Sequence, residues 1–153
     1  MDISTPDRFW QQFLSETGRD PEDRCSGDLN FEARGFNNDA LVAMVMAGKK
    51  TATFTSLETL QVDGEPVPVS GELYLVFDRG ENPRCVIELE SVTILPFCDV
   101  TWDMAQKEGE DENLEQWRNK MQENLEDEGA VVGFDFKPDM LLVYQTFRCI
   151  YKK

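Results

Sequence analysis

The chain has 153 residues, a formal net charge of −15 and no histidine. The missing imidazole excludes Ser-His-Asp and Cys-His catalysis, His-Glu-x-x-His metalloproteases and the histidine-ligated zinc deaminases, so acid–base work falls to carboxylates, lysines and hydroxyls. A pI near 4.3 opposes sequence-independent attraction to a polyphosphate chain, while leaving room for a local basic mouth on an acidic body.

One domain is expected at this length, able to bury roughly two-thirds of the surface that its unfolded chain exposes. No apolar run approaches the roughly 20 residues that span a bilayer, and Met1-Asp2-Ile3-Ser4 lacks the basic and apolar regions of a signal peptide. A cytoplasmic protein with no membrane partner is expected. Cys25, Cys85, Cys98 and Cys149 form no Cys-x-x-Cys pair, which points away from zinc or redox pairs, and Cys85 and Cys149 read as small hydrophobes in apolar strands.

In chain order, Thr5-Pro6 marks a helix start and Gly18 its end, with Phe9, Trp10, Phe13 and Leu14 on one apolar face. The stretch from 19 to 38 is polar and turn-rich, and reads as a long connection or lid. Its Phe31 and Phe36 either pin it over a pocket or bury it. From Asp39 to Met46, Leu41, Met44 and Val45 have helical spacing, and Gly48 suits the left-handed position beyond a helix end. Thr51, Thr53 and Thr55 then alternate, predicting a strand with one hydroxylated face. Lys49 and Lys50 fall in the turn between, from which the Lys50 amine can swing towards the threonines.

Ser56 to Gln61 is ambiguous between helix and strand, Val62-Asp63-Gly64 is a turn, and Glu65 to Pro68 is extended. Leu73 to Phe77 is an apolar strand, and Asp78 to Pro83 turns it into Cys85 to Leu95. There Cys85, Ile87 and Leu89 alternate with Val86, Glu88 and Glu90, as in a half-buried antiparallel strand. Pro96 to Thr101 leads to a short helix ended by Gly109. Asn113 to Gln116 resembles a capping box, Leu114, Trp117, Met121 and Leu125 form the next apolar stripe, and Gly129 is expected to stop that helix. Leu141 to Tyr151 reads as a central strand. The sum is an α+β domain built on a small antiparallel β-barrel with flanking and inserted helices.

Lys50 and Thr53 with a remote glutamate have the parts of a histidine-free hydrolytic site, since a lysine withdrawn from water can accept the proton of a hydroxyl nucleophile. The bland alternative is that the lysines complement a helix dipole and the threonines build a strand. From Glu108 to Glu128 nine acids stand against Arg118 and Lys120, a pattern usual for a solvated face. Glu110, Asp111 and Glu112 offer oxygens to a divalent cation without matching a dedicated loop. Arg34 and Arg79 are loop cations that either meet a phosphate or serve solubility.

The segment Gly48-Lys49-Lys50-Thr51-Ala52-Thr53 at a helix end resembles the ASCH domain, a relative of the PUA-type RNA-binding domains. Glu108-Gly109-Glu110 with Leu114-Glu115-Gln116-Trp117-Arg118, and Pro138-Asp139-Met140 with Phe147-Arg148, extend the similarity over nearly the whole of residues 1–153, with residues 1–37 as a helix and loop packed on a PUA-like barrel. The chain departs from the subgroup at Met121 and Glu123-Asn124-Leu125, where a histidine and paired phenylalanines are frequent. The resemblance implies a pocket for a nucleoside-like ligand or short RNA. By analogy with amidohydrolases of the family that use a Lys-x-x-Thr pair and a glutamate, it implies Lys50 as base, Thr53 as nucleophile and Glu108 as acid, with Lys49, Thr51, Thr55 and Phe36 lining the ligand and no metal or cofactor required. A non-catalytic RNA- or nucleotide-binding module and a ribonuclease are the alternatives that it leaves open.

Overall fold

The computed structural model describes residues 5–29 and 38–152. In chain order the elements are α1 (Thr5–Thr17), β1 (Gly27–Leu29), α2 (Asn38–Met46), β2 (Ala52–Ser56), α3 (Leu57–Asp63), β3 (Leu73–Phe77), β4 (Pro83–Pro96), α4 (Trp102–Ala105), α5 (Leu114–Val132) and β5 (Leu141–Lys152). Short 3₁₀ turns at Phe97–Asp99 and Gln106–Glu108 flank α4. The expected lid residues Phe31, Arg34 and Phe36 lie outside the described residues.

The five strands form one sheet, ordered β1-β3-β4-β5-β2 and curled into a half-barrel. β1 runs parallel to β3 and every other pairing is antiparallel. The long strands β4 and β5 hold the middle, as the apolar run from Leu141 predicts. Pro83 begins β4, the position where a proline removes no needed ladder donor. β1 was not anticipated within the polar stretch after α1, because three residues are too few to show an alternation.

Burial on both faces of β4 explains another difference from the sequence reading. Cys85, Ile87 and Leu89 pack with Leu41, Val42 and Val45 of α2, whereas Val86 joins Phe9, Trp10, Phe13 and Leu14 of α1. Helices therefore cover opposite faces of this end of the sheet, so that Val86 is buried along with Cys85, Ile87 and Leu89, while Glu88 is half-buried and Glu90 exposed, as the alternation predicts. A third cluster sits at the other end, where Trp117, Met121 and Leu125 of α5 meet Phe97, Val100, Met140 and Leu142. Complete burial of a side chain such as Phe13 or Leu142 contributes about 1.5 to 3 kcal/mol.

The ambiguous stretch after β2 is helical. The Ser56 hydroxyl accepts from the Thr59 N–H and Gly64 closes α3 in the left-handed conformation, so capping decides what apolar spacing left open. The expected stop at Gly129 is corrected: α5 continues to Val132, and Gly133 is its left-handed cap. Gly129 serves close packing instead, since a β-carbon there would collide with the backbone and ring of Phe134.

Candidate functional site

The turn between α2 and β2 is built by backbone hydrogen bonds returning to the helix. The Lys49 and Lys50 N–H groups both donate to the Met44 carbonyl, at 2.9 and 3.1 Å, with Gly48 at φ 77° making the reversal possible. The Thr51 N–H then donates to the Lys107 carbonyl at 2.7 Å, and the Phe147 N–H donates to the Thr51 carbonyl at 2.9 Å. This stitches the turn to the 3₁₀ turn before Gly109 and to β5. Gly109, at φ 76°, permits the approach: a β-carbon there would fall 2.7 Å from the Lys49 carbonyl oxygen.

The consequence is that Lys50 and Glu108 are both buried, at 2% and 5% exposure, and face one another. Lys50 Nζ lies 3.6 Å from Glu108 Oε2. It donates to Glu110 Oε2 at 2.7 Å and to the Ala52 carbonyl at 3.1 Å. The other Glu108 oxygen, Oε1, accepts from the Trp117 indole Nε1–H at 2.6 Å. Glu110, its side chain 2% exposed, also accepts from Lys120 Nζ at 3.2 Å, and Lys120 donates to Asp111 Oδ2 at 2.7 Å. Two ammonium groups thus meet three carboxylates in a largely dry pocket, one more acid than base.

Burial pushes the Glu108 carboxyl above the ordinary glutamate range, and the nearby Glu110 charge adds to the rise. Lys50, Trp117 and Lys120 pull against it without reversing it. Burial works against the Lys120 charge, yet the hydrogen bond to Asp111 and the Glu110 and Glu108 charges hold its pKa above the usual lysine value. The Tyr144 phenol, raised by burial and by the Glu108 charge, donates to the Met104 carbonyl at 3.3 Å. A buried carboxyl with raised affinity for its proton, beside a lysine, has the parts of a proton-transfer site.

The structure brings Lys50 and Glu108 together from distant parts of the chain. Thr53 stands in β2 opposite Gln145 of β5, half-buried. Thr55 shares that face, and its hydroxyl accepts from Gln145 Nε2 at 3.2 Å. Thr51 is half-buried, whereas Lys49 is exposed and stands apart from the buried pair. Phe36 and Arg34 fall outside the described residues, and Arg79 is exposed at the β3–β4 turn. Of the acids weighed as a cation site, Glu110 and Asp111 turn to Lys50 and Lys120 and Glu112 is exposed; among the described residues no set of three His, Cys, Asp or Glu is placed to hold a metal.

Sequence reasoning missed the joint role of Glu110, Trp117 and Lys120. Trp117 reads as one member of an apolar stripe, but a buried indole N–H needs an acceptor, which is the signal that points to Glu108. Lys50 and Thr51 also line a cleft of about 470 Å³, with Met46, Arg148, Cys149 and Tyr151 among its other walls. Arg148 and Lys152 also line that cleft, with the Arg148 guanidinium donating to Glu88 Oε1 at 2.9 and 3.2 Å and Lys152 Nζ donating to the Met46 carbonyl at 2.9 Å.

The ASCH domain family model matches residues 28–151. Among solved structures, the chain is similar to an ASCH domain from Lactobacillus crispatus, with 27% identity and a TM-score of 0.87, covering 96% of this chain and 94% of that one. A protein from Enterococcus faecalis shows 28% identity and a TM-score of 0.83, covering 97% and 89%. No curated protein matches.

Proposed function

The chain belongs to the ASCH domain family, and we propose that it is a histidine-free hydrolase that cleaves an amide or related bond on a nucleoside or nucleobase. The observation that carries this reading is the buried Lys50–Glu108 contact at 3.6 Å, with the Glu108 carboxyl held towards its neutral form. Thr53 supplies the nucleophile. Its Oγ1 bonds to the acyl carbon, the hydroxyl proton passes to the Lys50–Glu108 pair, and the pair delivers a proton to the leaving nitrogen as the C–N bond breaks. Water then releases the acyl group from Thr53 by the same route in reverse. The cleft beside Lys50 and Thr51 seats the ligand, and its size suits a single nucleoside better than a polymer.

Purified protein incubated with a panel of N-acylated nucleosides should release the free nucleoside. No release from any member of the panel, by chromatography that resolves both forms, contradicts the proposal.

A further inference from the structure

The Lys50–Glu108 pair contains two groups able to carry the proton, and the hydrogen bonds around it distinguish them. We infer that Glu110 is a positioning residue: pinned by Lys120, it takes the close hydrogen bond of the Lys50 amine, so that Glu108, beside the amine but not hydrogen-bonded to it, carries the protons of the reaction and Lys50 supplies fixed positive charge. This assignment rests on the hydrolase reading above and goes further than it, because the Lys-x-x-Thr analogy gives the base role to Lys50.

The distances set the division. Lys50 Nζ is 2.7 Å from Glu110 and 3.6 Å from Glu108, so the close hydrogen bond goes to Glu110. Glu110 is in turn fixed from its other oxygen by Lys120 at 3.2 Å, and Lys120 is anchored by Asp111 at 2.7 Å. Without Glu108, the set Lys50, Glu110, Lys120 and Asp111 is electrically balanced. Glu108 is the surplus acid, and a surplus charge in a dry site is relieved most cheaply by taking a proton. The groups facing Glu108 come from every element around it: Lys50 from the turn before β2, Glu110 from the loop after Gly109, Lys120 and Trp117 from α5, and Tyr144 from β5. Its raised pKa agrees with this arrangement.

In the acylation step proposed above, Glu108 rather than Lys50 takes up the proton of the attacking hydroxyl and delivers it to the leaving nitrogen. One carboxyl serves both halves, accepting the proton as the C–O bond forms and returning it as the C–N bond breaks.

The Trp117 indole gives a reading that needs no substrate, because its N–H donates to Glu108 directly. In ¹⁵N-labelled protein, the Trp117 indole cross-peak followed against pH should move with a midpoint above that of an ordinary glutamate. Glu110→Gln keeps the shape and removes the charge, so the Lys50 ammonium turns fully to Glu108 and the midpoint should fall by about one pH unit or more. Lys120→Met removes a positive charge and leaves Glu110 wholly to Lys50, so the midpoint should rise. A residue with a packing role only would move neither midpoint. An unchanged or raised midpoint in Glu110→Gln overturns the assignment. Should that variant not fold, a midpoint in Lys120→Met that stays or falls does the same. With N-acetylcytidine as the probe, the acid limb of kcat/KM should follow the same displacements. Because the resonance is read without turnover, an inactive protein would refute the hydrolase reading and leave the charge assignment standing, whereas an active protein with immobile midpoints would do the reverse.

Discussion

Lys50 belongs to the proposed site and also holds part of the fold, which alters what its substitution does. From the sequence alone, Lys50→Met removes an amine, keeps the apolar stem and leaves stability nearly unchanged. The structure gives a different expectation: the amine is buried between Glu108 and Glu110, and its loss strands two carboxylates at a cost of about 3 to 5 kcal/mol. Thermal melts should show that loss in full at pH 8 and progressively less of it as pH falls and Glu108, its carboxyl raised by burial, takes up its proton. Glu108 itself has the opposite sign. Its folded pKa lies above its unfolded one, so its contribution is fully present below the unfolded value and declines as pH rises through the folded value. Glu108→Gln keeps an acceptor for Trp117 and removes the surplus charge; it should therefore melt no lower than the parent at pH 8 while losing roughly 10²- to 10⁴-fold in turnover. A melt lowered by the same amount at pH 5 and pH 8 would contradict this sign. The family resemblance set Lys50 with Glu108, but its pairing with Glu110 was not legible in the chain, since the two stand 60 positions apart and only the fold joins them.

The elements around the site were legible to different degrees, for reasons of length and capping. α1, α2, β3 and β5 carry long apolar patterns and emerge as the periodicity predicts. α3 needed its Ser56 and Gly64 caps to be recognised, β1 is too short to show a pattern, and Gly129 misled because a glycine demanded by close packing resembles one that ends a helix. Gly109 is the element-scale position on which the proposed site depends most, because it lets the turn carrying Glu108 lie against the turn carrying Lys50. Gly109→Ala should cost about 1 to 2 kcal/mol from the left-handed backbone alone, with more from the collision with the Lys49 carbonyl. Denaturant unfolding measures that cost. Residual activity should fall beyond what the loss of folded protein explains, because the collision moves Lys50 relative to Glu108.

At the scale of the molecule, the net charge of −15 argues against a long nucleic acid as the ligand, and the size of the cleft suits a small one. Titration with a short RNA at two salt concentrations should show weak binding that disappears as salt rises, whereas a free nucleoside should bind with little dependence on salt. Tight, steeply salt-dependent RNA binding would favour the RNA-binding alternative instead. The fold class, the turn that bears Lys50 and the strand that bears Thr53 were readable in the chain; the excess of one acid in the buried cluster was not, because burial is a property of the assembled sheet and helices. The most direct measurement compares the parent protein with Thr53→Val on N-acetylcytidine, since valine keeps the β-branched shape that β2 needs and removes only the hydroxyl. The account predicts release of free cytidine by the parent and a loss of roughly 10²-fold or more in the variant at an unchanged Tm. No release by the parent, or equal release by both proteins, would contradict it.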